Sequence, residues 1–557
     1  MMRIFALTVL LLTVLKGVPA LSADFQKGEE ALKDKDFGAA AREFKPLAEQ
    51  GNALAQYYLG ALYFSGKGVP QDDQAALKWY TLAAEQGVAD AQVYVGNMYY
   101  NGLGVPEDLI AAAKWYTLAA EQGYAVAQRS LGALYEYGEG VSRNDKAAVM
   151  WYTRAAEQGD SAAQVSLGKM YLTARGVPQG DKAALKWFNL AANQGSEVAQ
   201  ILLGEMYCKG LGVARDHEAG IKWYTLAAEQ KNVMAQLKLG RVYHKGDCVV
   251  QDIKKAIKWY TRAGMQGSAA AQSMLGYLYE RGEEVPRNDK EAFKWYALAA
   301  KQGLEVVQVP LGIMYRDGRG TPKDIAGAVK MFERATKRGD ASGQTKLGEM
   351  YYYGIGVSRD DKQALKMFSL AAEQGHAEAQ FFVGQAYLHG RGVPKDHDAA
   401  RKWHTLAAKQ GHVESQFSLG IDFFEGIGVP QDYAAAFKWF ALAAERNYHE
   451  AQDKLGRMYI QGLGVPLDYE EANKWFTRAS EQGNTEAPLS IGYIYFHGLG
   501  VPKDRVRALM WWNIWAAVAG DEVAMKFRNK AAKDLTSVEQ DAAQKLAREW
   551  MEKHLNN

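Results

Sequence analysis

The stretch "LGALYFSGKGVPQDDQAALKWYTLAAEQG", residues 59–87, decides the fold, because the chain repeats it with small changes almost to its end. A second copy, "LGALYEYGEGVSRNDKAAVMWYTRAAEQG", occupies residues 131–159, and each position of the phrase recurs every 36 residues. We number the repeats 1 to 13 and count repeat positions in residues from each start. The starts are residues 51, 87, 123, 159, 195, 231, 267, 303, 339, 375, 411, 447 and 483.

Each repeat opens with a segment of helical periodicity. In repeat 1, Ala55, Leu59, Leu62 and Tyr63 recur at helical spacing, which predicts one buried stripe. Position 9 is glycine in all thirteen repeats, although glycine inside a helix costs about 1 kcal/mol. We therefore expect a second helix to pack closely against Gly60 and its equivalents.

A glycine- and proline-containing loop then separates this helix from a second one. Asp72 follows the loop and is the expected N-cap of a helix that buries Ala75, Trp79 and Ala83. A helix pair of this kind cannot bury both of its faces, so the repeats are expected to stack and share a core. One inserted residue would rotate each later helix by about 100°, which explains the constant period.

The pattern L-G-x-x-Y followed by A-x-x-x-W resembles the tetratricopeptide repeat, whose period is about 34 residues. The period of 36 and the loop G-x-G-V-P-x-D instead resemble the Sel-one-like repeat (SLR) family. The matching residues of repeat 1 are Gln56, Leu59, Gly60, Tyr63, Gly66, Gly68, Val69, Asp72, Ala75, Trp79, Ala83, Ala84 and Gly87. The departures from the pattern are Cys248 and Glu284 at the second loop glycine, and Lys231 and Asn447 at the closing glycine.

This resemblance implies an all-α fold, a right-handed α-solenoid (superhelix) of about thirteen helix-turn-helix repeats with capping helices at both ends. It also implies a groove, lined by the first helices, that binds other proteins. The expected segments are a signal peptide at 1–23, a capping hairpin at 24–50, repeats at 51–518 and capping helices at 519–557. In the last segment, Thr536 and Glu539 form a capping-box pattern, and Leu546 and Trp550 are candidates to cover the final repeat.

The first residues have the layout of a secretory signal peptide. A basic start, "MMR", precedes an apolar run too short to span a membrane, and small residues follow. We expect cleavage after Ala23, or alternatively after Ala20, and a periplasmic or secreted mature protein. An uncleaved N-terminal anchor is the alternative.

Composition and motifs exclude several classes of function. Lys plus Arg number 66 and Asp plus Glu number 64, a balance that gives no sign of nucleic acid as a partner. The hydrolase, phosphate-loop and zinc-protease motifs are absent; Ser166–Lys169 matches S-x-x-K without its companion motifs. Five histidines fall between His376 and His412, but without metal-site spacing, so we expect solvated helix faces and no cofactor.

The chain contains two cysteines, Cys208 and Cys248, in adjacent repeats. Neighbouring helices pack roughly 10 Å apart, whereas a disulfide needs Cα atoms within about 7 Å. Two free thiols are the favoured expectation, and a disulfide is the alternative.

By analogy with tetratricopeptide proteins, positions 3, 6, 10, 13 and 14 of each repeat are expected to face the groove. The aromatic candidates at these positions are Tyr57, Phe64, Tyr100, Tyr137, Tyr352, Tyr353, Phe381, Phe417 and Phe424. Glu378, Glu414, Glu450 and Glu486 predict an acidic stripe at position 3, and the middle repeats carry basic residues at Lys169, Lys209, Arg241, Lys245, Arg281 and Arg316. Packing between neighbouring helices, for the aromatic residues, and solvated helix faces, for the charged ones, are the alternatives.

The sequence therefore favours an exported, monomeric, non-enzymatic scaffold that binds one or more proteins and is not stably inserted in a membrane. The alternatives are a β-lactam or peptidoglycan hydrolase and a groove that binds glycans through its aromatic residues.

Overall fold

A computed structural model describes residues 23–283, 285–520 and 522–555, so nearly all of the predicted signal peptide lies outside the described residues. Within these ranges the regular structure consists of thirty α-helices and one short 3₁₀ turn at Glu305–Val307, without a strand. The predicted all-α solenoid of stacked helix pairs is confirmed. No helix among the described residues has the length and apolar character that a membrane crossing requires.

The first fifteen helices are α1 (Ala23–Lys33), α2 (Phe37–Glu49), α3 (Ala53–Ser65), α4 (Asp73–Glu85), α5 (Ala89–Asn101), α6 (Leu109–Glu121), α7 (Ala125–Tyr137), α8 (Asp145–Glu157), α9 (Ser161–Leu172), α10 (Asp181–Asn193), α11 (Glu197–Lys209), α12 (His217–Glu229), α13 (Val233–Lys245), α14 (Ile253–Met265) and α15 (Ala269–Arg281). The remaining helices are α16 (Asp289–Lys301), α17 (Gln308–Asp317), α18 (Ile325–Lys337), α19 (Ala341–Tyr353), α20 (Asp361–Glu373), α21 (Ala377–His389), α22 (His397–Lys409), α23 (Val413–Glu425), α24 (Tyr433–Ala444), α25 (His449–Gln461), α26 (Tyr469–Glu481), α27 (Ala487–His497), α28 (Arg505–Ala519), α29 (Glu522–Ala532) and α30 (Ser537–His554).

The chain divides into two compact units. One extends to Leu275 and includes the loop residues Glu283 and Val285; the other comprises residues 276–282 and the chain from Pro286 onward. Inside each unit, the two helices of a repeat pack against each other and against the helices of the next repeat. Each unit is thus a stack of helix pairs with a shared core.

Local signals set the boundaries of these helices. Asp72 is the N-cap of α4, as predicted, and its carboxylate accepts hydrogen bonds from the backbone N–H groups of Gln74 and Ala75. The closing position of each repeat has a positive φ, which favours glycine. Lys231 and Asn447 keep this conformation, with φ of 68° and 63°, so their substitutions leave the turn unchanged.

The glycine at position 9 makes room for an aromatic ring. A Cβ on Gly60 would lie 2.9 Å from the ring of Tyr80, and a Cβ on Gly276 would lie 2.5 Å from that of Tyr296. The predicted close packing is therefore present, with the ring at position 29 as the contacting group. The buried stripe of the second helix differs from the prediction by about one position, because Tyr80 lies in the core and Trp79 is only half-buried.

Buried glutamines join successive repeats. Gln56 donates from Nε2 to the carbonyl of Ala48 in the preceding helix, at 3.0 Å, and accepts from Nε2 of Gln86 at 2.7 Å. This pattern, which we call the glutamine ladder, satisfies amide groups that burial would otherwise penalise. The glutamine pairs of the ladder are Gln56–Gln86, Gln92–Gln122, Gln128–Gln158, Gln164–Gln194, Gln200–Gln230 and Gln236–Gln266 in the first unit, and Gln344–Gln374 and Gln380–Gln410 in the second.

Additional helices pack on the repeats near both termini. Helices α1 and α2 bury Phe25 and Phe44 against Tyr58. At the other end, Thr536 and Glu539 form the predicted capping box of α30. Trp550 contacts Trp511 with ring centroids 5.0 Å apart, as expected of a residue that covers the last repeat. Leu546 was expected to do the same, but its side chain is exposed.

Candidate protein-binding surface

Two of the predicted groove aromatics belong to the core. Tyr57 and Phe64 are only 4% and 1% exposed, and both pack against Tyr80 and Tyr94. Both side chains are buried in the contact between repeats 1 and 2, so they do not reach the surface on which the sequence pattern had placed them.

Tyr100 and Tyr137 reach the surface of the first unit. Tyr100 is half-buried, and its hydroxyl donates to Oε2 of Glu139 at 2.8 Å. This hydrogen bond raises the pKa of Tyr100. Tyr137 is 67% exposed and ends helix α7. The predicted aromatic cluster of the first three repeats thus reduces to these two side chains.

In the second unit, Tyr353 is the most exposed of the candidate aromatics. Its side chain is 58% exposed and meets Tyr352 edge to face, with ring centroids 4.9 Å apart. The guanidinium of Arg391 lies 4.6 Å from the centroid of Tyr352 and holds that ring from the neighbouring repeat. Tyr353 is therefore presented to solvent on a fixed support.

The three candidate phenylalanines are half-buried and pack between helices. Phe381 stacks on His412 with ring centroids 4.8 Å apart. Phe417 lies 5.5 Å from Phe440, and Phe424 lies 5.3 Å from Tyr433. These residues support the surface through packing, which was the alternative interpretation of the aromatic pattern.

Position 3 is glutamate in each of the three repeats that follow the repeat of Tyr353, at Glu378, Glu414 and Glu450. Nζ of Lys346 lies 2.9 Å from Glu378 and 2.6 Å from Glu349, so part of this charge is neutralised. Glu414 and Glu450 remain about half exposed, and each has a carboxylate oxygen close to the preceding histidine side chain. Tyr353, Glu378, Glu414 and Glu450, on helices α19, α21, α23 and α25, form what we call the Tyr353 surface.

The histidines of this region do not share one solvated face. His397 is exposed, whereas His404 is 1% exposed and occupies position 29, where its ring packs on Gly384. Burial lowers the pKa of His404 to about 4, so the ring is neutral at pH 7. The described residues contain no group of three or more His, Cys, Asp or Glu side chains arranged to hold a metal ion.

Cys208 and Cys248 form a disulfide, contrary to the favoured expectation of two free thiols. Their Cα atoms are 5.4 Å apart. The estimate from helix spacing failed because Cys248 lies in a loop, and each loop reaches back over the preceding repeat. The same reach brings Arg175 to Glu136 and Arg319 to Glu280, at 2.8 and 2.9 Å.

One sequence signal could have identified the disulfide. Position 25 is alanine in twelve repeats and glycine only in repeat 5, at Gly220. A Cβ on Gly220 would lie 2.6 Å from Sγ of Cys208, so the missing methyl group accommodates the sulfur atom. Three coordinated departures from the repeat pattern, at Cys208, Gly220 and Cys248, therefore mark one structural feature.

The family profile of the Sel1 repeat matches thirteen segments of the chain. They are residues 53–88, 89–124, 125–160, 161–196, 198–232, 233–268, 269–304, 310–340, 341–376, 377–412, 413–448, 449–484 and 489–517. The chain belongs to the Sel1 repeat family. Sel1 repeat proteins are generally scaffolds for protein interactions, and their solenoid fold is typically non-catalytic.

Two solved Sel1 repeat structures are similar to this chain. One is c5321, a protective antigen present in uropathogenic Escherichia coli strains, with 33% identity over 86% of this chain and 95% of that chain and a TM-score of 0.62. The other is a Sel1 repeat protein from Oxalobacter formigenes, with 35% identity over 55% of this chain and 89% of that chain and a TM-score of 0.48. A comparison with curated protein sequences gives no match.

Proposed function

We propose that this protein is an exported, non-enzymatic Sel1 repeat scaffold that binds a basic segment of another protein on the Tyr353 surface. The observation that carries the proposal is the exposed ring of Tyr353, held by Tyr352 and Arg391 and within electrostatic range of the carboxylates of Glu349 and Glu378. Rigid aromatic side chains supply much of the energy at protein interfaces, because they bury a large area at little entropic cost. The acidic row favours a partner segment with lysine or arginine side chains.

Two observations support export. The N-terminal sequence has the layout of a signal peptide, and the similar uropathogenic E. coli protein is a protective antigen. Separation of cell fractions and mass spectrometry of the mature N-terminus test this part. A mature chain that begins at Asp24 or Leu21 in the periplasm or medium is expected, and full-length cytoplasmic protein would contradict export.

The binding proposal is tested by affinity capture with residues 24–557 as bait. Tyr353→Ser should lose the partner because it removes the exposed ring, whereas Leu406→Ser changes an exposed apolar residue on a second helix and should keep it. Circular dichroism checks that both variants fold. Proteins captured equally by all three baits would argue against this surface, and nitrocefin or muropeptide hydrolysis by purified protein would contradict the non-enzymatic assignment.

A further inference from the structure

A second candidate binding site lies in the first unit, beside the disulfide. A pocket of about 320 Å³ opens between helices α11, α12 and α13, and Cys208 and Cys248 form part of its wall. Four cationic side chains line the pocket, and only two anionic ones. The pocket thus carries a net positive charge in a chain that is almost neutral overall.

The cations of the pocket are unequally paired. Glu205 accepts from Nζ of Lys209 at 2.6 Å and from Nζ of Lys238 at 3.0 Å, and the bond from Lys209 contributes most to its lowered pKa. Arg241 and Lys245 are exposed, and neither forms an ion pair with any residue in the described part of the chain. Since they are four residues apart on α13, they lie on the same helix face.

Other basic residues of the middle repeats are differently placed. Arg316 forms ion pairs with Asp317 and Glu349, and Arg281 lies over the ring of Tyr277. Lys169 occupies in repeat 4 the position that Arg241 occupies in repeat 6, but it does not line the pocket. The combination of a concave site and cations without ion-pair partners is found at Arg241 and Lys245.

We propose that this pocket binds side-chain carboxylates of an acidic protein segment, with Arg241 and Lys245 as the main contacts. A guanidinium binds a carboxylate through two parallel hydrogen bonds, and a nearby ammonium adds a point charge. Glu205 and Asp247 also line the pocket, which leaves an excess of two cations for an acidic side chain to pair with. This site is separate from the Tyr353 surface and does not depend on it.

The disulfide shapes the pocket. It fixes the loop that carries Asp247 and Cys248 to the end of α11, where Lys209 lies. Without this bond the loop is held only by its non-covalent contacts, and one wall of the pocket loses its covalent support. We therefore expect binding of the acidic segment to weaken when the disulfide is removed.

The test measures fluorescence anisotropy of a labelled hexaglutamate peptide with the full mature chain, at low and at physiological salt. Arg241→Glu combined with Lys245→Glu should weaken binding at least about tenfold. The matched control, Lys169→Glu, changes an exposed lysine at the same repeat position and should leave affinity unchanged. Cys208→Ser combined with Cys248→Ser should give an intermediate loss, with unchanged helical circular dichroism.

Several outcomes would overturn this proposal. They are absence of binding by the native chain, equal losses in the double variant and the Lys169→Glu control, and preference for a phosphoserine peptide over hexaglutamate. Capture through the Tyr353 surface serves as an independent check. The Arg241→Glu/Lys245→Glu variant should still capture the partner of the Tyr353 surface. The two sites can then be judged separately, because loss of hexaglutamate binding leaves that capture intact.

Discussion

At the scale of single residues, His404 shows what a repeat protein accepts in its core. Twelve repeats place tyrosine, phenylalanine or tryptophan at position 29, against the glycine of the first helix. His404 fills the same space as an aromatic ring, but its Nε2 is buried without a hydrogen-bond partner among the described residues. The neutral ring is therefore tolerated, and the protonated ring is not.

This burial predicts a pH dependence of stability. The pKa of His404 falls from 6.5 to about 4 on folding, so the unfolded chain binds the extra proton first as the pH drops. The contribution of His404 to the free energy of unfolding is fully present above about pH 6.5. It is lost as the pH falls towards 4, and the loss is up to about 3 kcal/mol. His404→Phe should remove that part of the decline.

The measurement is thermal unfolding of both proteins at pH 7.5 and pH 5. Other titratable groups nearby, including His412 and Asp422, are present in both proteins, so the difference between the two isolates the contribution of His404. Equal losses of stability in the two proteins would show that His404 does not titrate in this way.

At the scale of elements, the glutamine ladder has gaps. Position 35 is arginine in repeats 8 and 11, at Arg338 and Arg446, and the acceptors Gln308 Oε1 and Gln416 Oε1 are left without partners among the described residues. An unpaired buried acceptor lowers stability relative to a paired one. The two arginines instead contact Glu305 and the carbonyl of Gly411.

Arg446→Gln should complete the ladder at Gln416. We expect the free energy of unfolding of Arg446→Gln to exceed that of Arg446→Ala by about 0.5–1.5 kcal/mol, the usual net contribution of one hydrogen bond. Arg446→Ala is the control, since it also loses the contact with Gly411 but offers no donor. Denaturant unfolding compares the three proteins, and an Arg446→Gln variant no more stable than Arg446→Ala would contradict the role of the ladder.

The helices and their boundaries could be predicted from the sequence. The side-chain contacts between successive repeats were harder to predict. Asp72 and the glycine at position 9 act within one helix pair, so their roles follow from local spacing. Tyr57 and Phe64 are buried by the adjacent repeat, which helical periodicity within one repeat does not describe. Cys208 and Cys248 meet for the same reason, through a loop that crosses to the preceding repeat.

At the scale of the whole molecule, repeats are interchangeable parts. Within the first unit the ladder and the helix contacts join successive repeats through the same positions, so removing one whole repeat there should leave complementary surfaces. Deletion of residues 123–158 would bring Gln164 to the carbonyl of Ala120 in place of that of Ala156.

This deletion variant should be soluble, helical and cooperative in thermal unfolding. A deletion of residues 123–140 is the control, because it leaves one helix without its partner and should aggregate or unfold early. If both deletions behave alike, the repeat is not the structural unit of this chain.

The glutamine ladder also has a consequence for how such a gene changes over generations. Recombination between two similar stretches of its DNA removes or duplicates 36 codons in frame, and the new junction carries the same donor and the same acceptor. Selection can then vary the number of repeats with little loss of folding, while exposed side chains such as Tyr353 can be replaced without disturbing the ladder. Repeat number and surface chemistry become two nearly independent variables on which evolution acts.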